Sequence, residues 1–112
     1  MKYEPRFDVV YNKDVYTFLE SLPQKTQDKI ASNIDKSRYV IDSELFKKLK
    51  GEIWEFRTIH NNTCIRLLAF WDKERGKVVV VTHGFIKKSE KTPQQEIRKE
   101  ESLRLEYYKS KK

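Results

Sequence analysis

Ile53-Trp54-Glu55-Phe56-Arg57-Thr58, followed a few residues later by Cys64-Ile65-Arg66-Leu67-Leu68-Ala69-Phe70-Trp71, decides the fold of this chain. Strand side chains alternate between faces, so Trp54 and Phe56 share one face and Glu55 and Arg57 the other. In the second run Ile65, Leu67, Ala69 and Trp71 form the apolar set, and Arg66 stands opposite them with Leu68 and Phe70. The turn signal Asn61-Asn62 separates these two runs, and Asp72-Lys73-Glu74-Arg75-Gly76 separates the second from a third, Lys77 to Phe85. Within that third run, Val78-Val79-Val80-Val81 has the character of a central strand buried on both faces. Connections this short force antiparallel neighbours.

On the N-terminal side, Tyr3 to Tyr11 reads as a first strand built on Phe7, Val9, Val10 and Tyr11. Val15, Phe18, Leu19 and Leu22 then recur at helical spacing behind a cap at Asn12, and Pro23 ends that helix. Ile30, Ala31, Ile34 and Ile41 mark one face of a second helix running to about Tyr39, which completes a helical hairpin. Leu45 to Gly51 connects it to the strands. Beyond them, Thr92-Pro93-Gln94-Gln95 reads as a capping box that opens a last helix carrying Ile97, Leu105 and Tyr108. The expected fold is α+β in the order β-α-α-β-β-β-α, a compact antiparallel sheet backed by a helical hairpin, with a C-terminal helix. Residues 1–108 form one domain, and the basic tail 109–112 is expected to be disordered.

A chain of 112 residues with 38% hydrophobic side chains is enough for one core and too short for two. The lone Cys64 excludes an intrachain disulfide framework, and His60 and His83 lie too far apart for a zinc-type spacing, so no metal or cofactor is expected. No apolar run approaches the length of a membrane span, and the start Met1-Lys2-Tyr3-Glu4-Pro5-Arg6 lacks the apolar stretch of a signal peptide; the expected location is the cytoplasm. The net charge of +7 attracts a phosphate polyanion or an acidic protein.

Charge placement narrows this choice. If the helices cover the apolar side, Glu55, Arg57 and Arg66 face outward, and antiparallel register brings them toward Lys87 or Lys88 at the exit of the third run. A cross-strand ion pair between Arg66 and Glu55 is the structural reading of the same residues. The chemical reading is RNA cleavage through the RNA's own 2′-hydroxyl. That reaction needs a base for the hydroxyl, positive charge around the pentavalent transition state and a proton donor for the leaving 5′-oxygen. Arg and Lys supply the charge; Glu55 or His83 is the candidate base, and a lysine ammonium or a tyrosine hydroxyl the candidate acid.

The motifs Leu49-Lys50-Gly51, Ile53-Trp54-Glu55-Phe56-Arg57, Arg66-Leu67-Leu68-Ala69-Phe70, His83-Gly84-Phe85-Ile86-Lys87-Lys88 and Thr92-Pro93 with Glu96-Ile97, in this order, resemble the RelE/ParE toxin superfamily and within it the HigB-like, phage-derived branch. The resemblance implies an antiparallel sheet backed by helices. It also implies the toxin of a type II toxin–antitoxin pair: a ribosome-dependent, metal-independent endoribonuclease acting on mRNA in the A site and neutralised by a helix-turn-helix antitoxin. By the same resemblance Arg57 and Arg66 are the leading site residues, with Lys87, Lys88 and Glu55 beside them. Lys50, His83 and Tyr108 are further candidates for binding substrate, Tyr108 together with Tyr107 being the available C-terminal tyrosines. The ParE-like members, which poison DNA gyrase, offer an alternative, and a non-catalytic RNA- or protein-binding module is another.

Overall fold

The computed structural model describes residues 4–88 and 92–111. Its elements are β1 (Asp8–Tyr11), α1 (Lys13–Glu20), α2 (Gln24–Ser37), β2 (Phe46–Lys50), β3 (Ile53–His60), β4 (Thr63–Asp72), β5 (Val78–Lys87) and α3 (Gln94–Ser110). They make a five-stranded sheet in the order β1-β5-β4-β3-β2, antiparallel except where β1 pairs parallel with β5. The α+β class, the helical hairpin and the last helix are as the sequence indicates. The sheet has one strand more than expected, because Phe46-Lys47-Lys48-Leu49-Lys50 pairs with β3 instead of forming a connection. Three lysines hide this strand from a reading based on hydrophobic alternation, yet a solvated edge position suits them.

Register and faces follow from the side chains. Asn61 and Asn62 both adopt positive φ, 50° and 60°, closing a two-residue hairpin between His60 and Thr63. This is the left-handed pair that a tight hairpin matching the sheet's twist requires, and Asn tolerates it better than most residues. On one face Phe46, Phe56, Ile65, Leu67, Ala69, Val79 and Val81 pack with Phe7, Val15, Ile30 and Ile34 into the main core under α1 and α2. Gly84 lies on this face, where a side chain would strike Phe18 of α1 and Leu67 at 2.5 Å. The His83-Gly84-Phe85 motif therefore contains a glycine because α1 sits against the backbone of β5.

The opposite face is not left open along its whole length. α3 lies across it, with Phe70, Val78 and Val80 forming a second small core against Tyr107 and Tyr108. Asp72, fully buried, accepts from the hydroxyl of Tyr107 at 2.6 Å and from Lys111 at 2.5 Å, which fastens the end of α3 to the β4–β5 turn. Residues 109 and 110 are accordingly helical and Lys111 is held, whereas the sequence marked this tail as disordered; Lys112 lies outside the described residues, as does Tyr3 at the start of the expected first strand.

Three smaller expectations are also corrected. Ile41 is 83% exposed and lies beyond the end of α2, and Leu105 is 58% exposed, so neither belongs to a packed face. The capping box does not form: α3 starts at Gln94 behind Pro93 with no side-chain cap hydrogen bond among the described residues, and the Thr92 hydroxyl bonds Glu55 instead. No helix among the described residues is long and apolar enough to cross a membrane.

Candidate nucleic-acid interface

Where α3 ends its coverage, the face it crosses presents a row of charged side chains. Arg57 of β3 and Arg66 of β4 are direct Cα partners, Phe85 of β5 is the partner of Arg66, and Lys87 follows two residues later on the same face, opposite Cys64. Glu55, two residues before Arg57, shares this face and lies opposite Leu68. The pairing of β2 with β3 adds Lys47, the Cα partner of Glu55, to the same side.

Glu55 is the hub. Its side chain is 1% exposed; Oε1 lies 3.3 Å from Nε of Arg66 and 3.7 Å from Nε of Arg57. Its other oxygen accepts a hydrogen bond from the Thr92 hydroxyl at 2.6 Å. With both oxygens engaged inside the protein, Glu55 aims the two guanidinium groups. The ion pair that the sequence allowed is thus present, and it is buried: the Arg66 side chain is only 4% exposed. Neither Nε has an aligned hydrogen-bond acceptor among the described residues. Arg57 is further held by Nη1 donating to the Ser43 carbonyl at 3.4 Å, while its backbone N–H bonds Leu45 at 2.8 Å.

The electrostatics of the row are unbalanced. Burial lowers the pKa of Arg66, with Glu55 opposing the shift and Arg57 adding to it. Burial likewise pushes Lys87 below its usual value, and the neighbouring charges of Arg66, Arg57 and Lys47 add to this against Glu55. At Lys87 the charge of Arg66 outweighs that of Glu55 and Arg57 and Lys47 add to it, and a place with such an excess of positive charge attracts an anion. A cleft of about 170 Å³ opens beside the row, lined by Arg57, Arg66, Asn33, Leu45 and Ile59 with Glu44 at its exposed rim. It is too small for a whole nucleotide and suits contact with a phosphate group. The larger cleft of about 370 Å³ between β1 and α3 carries Glu106 and no cation among the described residues that line it, so it lacks the positive charge that would draw a phosphate.

The remaining sequence candidates lie apart from the row. His83 is 3% exposed beneath α3, where its Nε2 lies 3.1 Å from Glu96 and its Nδ1 is 3.3 Å from the Thr82 hydroxyl. Burial and the charge of Lys99 lower its pKa, so it serves as a neutral packing and hydrogen-bonding residue. Tyr108 packs on Phe70 and its hydroxyl donates to the Trp71 carbonyl at 3.2 Å, at the far end of α3. Lys50 sits at the β2–β3 turn beside Glu52 and Arg104. Lys88 is exposed just past the end of β5, and the segment 89–91 that follows lies outside the described residues. Sequence reading missed two members, Lys47 and Thr92. Recognising β2 as a strand would have placed the first, whereas Thr92 carries no signal that separates a helix cap from a hydroxyl aimed at Glu55.

A sheet of this order, backed by a helical hairpin and crossed by a third helix, with cations lined up over its middle strands, defines the RelE-like class of small α+β proteins. The chain belongs to a phage-derived family within that class: residues 17–104 match the family model described as phage derived protein Gp49-like (DUF891). A chain of the toxin–antitoxin complex RelBE2 from Mycobacterium tuberculosis superposes with a TM-score of 0.57 at 18% identity, covering 77% of this chain and 95% of that one. The resemblance to the RelE/ParE superfamily read from the motifs is thereby upheld. No curated protein matches the chain.

Proposed function

We propose that this protein is the toxin of a toxin–antitoxin pair and that it inhibits translation by cutting mRNA on the ribosome, without a metal ion. Membership of the Gp49-like family and the RelE-like fold support the toxin assignment. The observation that carries the chemistry is the convergence of Arg57, Arg66 and Lys87 from three adjacent strands around one buried carboxylate. In this reading these side chains supply the positive charge around the transition state.

In the proposed reaction the 2′-oxygen bonds to phosphorus as the bond from phosphorus to the 5′-oxygen breaks. The products are a 2′,3′-cyclic phosphate and a 5′-hydroxyl. Arg66 and Arg57, aimed by Glu55, stabilise the charge that builds on the phosphoryl oxygens. The proton lost by the 2′-hydroxyl passes to solvent water, and the Lys87 ammonium, held below its usual pKa, gives a proton to the leaving 5′-oxygen and regains one from solvent afterwards. Thr92 and Glu55 act as positioning residues. An antitoxin presenting acidic side chains would be steered to the same row of cations.

Induced expression followed by mapping of mRNA 5′ ends tests this reading. New ends concentrated within translated regions, arising as growth stops, are expected. Growth arrest with unchanged mRNA ends would overturn it, and trapped gyrase–DNA complexes in the arrested cells would favour the ParE-like alternative.

A further inference from the structure

Resting on the reading of the site as an RNA-cleaving one, we propose that the site continues to the edge of the sheet: Lys47 holds the phosphate next to the scissile one, so the RNA strand runs across β5, β4, β3 and β2. Four adjacent strands each place one cation on this face, Lys87, Arg66, Arg57 and Lys47. At about 4.8 Å per strand the row from β5 to β2 is roughly 14 Å long, more than a single phosphate can occupy. Lys47 stands directly across from Glu55, yet both Glu55 oxygens are already engaged by Arg66, Arg57 and Thr92. Among the described residues Lys47 makes no ion pair and no side-chain hydrogen bond, although it is half-buried and its charge is felt at Lys87. A cation held within a positive cluster without a partner carboxylate is poorly explained by stability and well explained by an anion that arrives with the substrate. Its neighbour Lys48 is the Cα partner of Trp54, faces the other side of the sheet and is exposed, which makes it an internal control.

The test is a cycle between protein and substrate, run as single-turnover cleavage on ribosomes programmed with mRNA in which one phosphate beside the cut is replaced by a neutral methylphosphonate. For the wild-type chain, the neutral linkage at the phosphate that Lys47 holds should raise the half-saturating protein concentration roughly tenfold, with the maximal rate little changed. Lys47→Gln should raise it by a similar factor on the all-phosphate mRNA, and the two changes together should cost no more than either alone. Lys48→Gln should leave the wild-type response to the neutral linkage intact. Fully multiplicative losses for Lys47→Gln at the neighbours on both sides of the cut would overturn the assignment, as would equal losses for Lys47→Gln and Lys48→Gln. Absence of cutting by the wild-type chain would instead overturn the proposed function itself, and this extension with it.

Discussion

Arg66→Ala is expected to slow mRNA cleavage by roughly a hundredfold or more, the scale on which a charge-assisted contact made chiefly in the transition state is felt. The structure adds a second effect. Arg66 is buried with Glu55 at 3.3 Å, so its removal leaves a carboxylate that is 1% exposed with Arg57 and Thr92 as its remaining partners. Removing one member of a buried pair typically costs about 3–5 kcal/mol. The surviving Arg57 contact should reduce this to about 1–3 kcal/mol. Thermal unfolding of the same preparation separates the two effects. Arg66→Lys makes the comparison sharper: it keeps a charge near Glu55 but loses the planar fork that can hold two phosphoryl oxygens, so it should retain most of the stability and little of the activity. Near-normal single-turnover cleavage by a folded Arg66→Ala chain would confine this arginine to a structural role and leave Arg57 and Lys87 to carry the chemistry.

The second large effect concerns Glu100, on the inner side of α3, whose side chain bonds the Thr82 hydroxyl and lies 3.7 Å from Nδ1 of His83. Burial raises its pKa from 4.5 to about 8, with Arg104 opposing the shift. A carboxyl that is harder to ionise in the folded state than in the unfolded chain contributes stability in full below pH 4.5, and this is lost as the pH rises toward about 8. His83 works the other way. Its pKa is lowered from 6.5, so it costs stability as the pH falls below that value, and the region above pH 6.5 reports on Glu100 with little interference.

Between pH 6.5 and 8 the wild-type chain should therefore lose on the order of 2 kcal/mol, at about 1.4 kcal/mol for each pH unit crossed. Glu100→Gln should flatten that slope whatever its effect on absolute stability. Denaturant unfolding at a series of pH values checks this, and parallel curves for the two proteins would show that Glu100 does not hold its proton in the folded state.

Much of this architecture is legible in the sequence because burial writes itself into periodicity. The alternation in Ile53 to Thr58 and in Cys64 to Trp71 gives the correct faces, and Asn61-Asn62 gives the register between them. Arg57, Arg66, Glu55 and Lys87 follow from those faces. What stayed hidden is what depends on packing between distant segments. β2 is a solvated edge whose lysines obscure any alternation, so Lys47 was out of sight. The side of the sheet that α3 covers is set by Phe70, Val80 and Tyr107 meeting at one end, which no local pattern in the helix announces. His83 therefore read as a possible base although α3 closes over it. Thr92 satisfies a helix-cap pattern while its hydroxyl goes to Glu55.

The central claim is that the cation row around Glu55 breaks a phosphodiester bond using the RNA's own hydroxyl. The most direct test is end-group analysis of mRNA cut by purified protein on programmed ribosomes. A 2′,3′-cyclic phosphate on the upstream fragment and a 5′-hydroxyl on the downstream one are expected, with no cutting when the 2′-hydroxyl at the cleavage site is replaced by hydrogen. Cutting that persists on the 2′-deoxy substrate, or mRNA that stays whole while translation stops, would contradict the account.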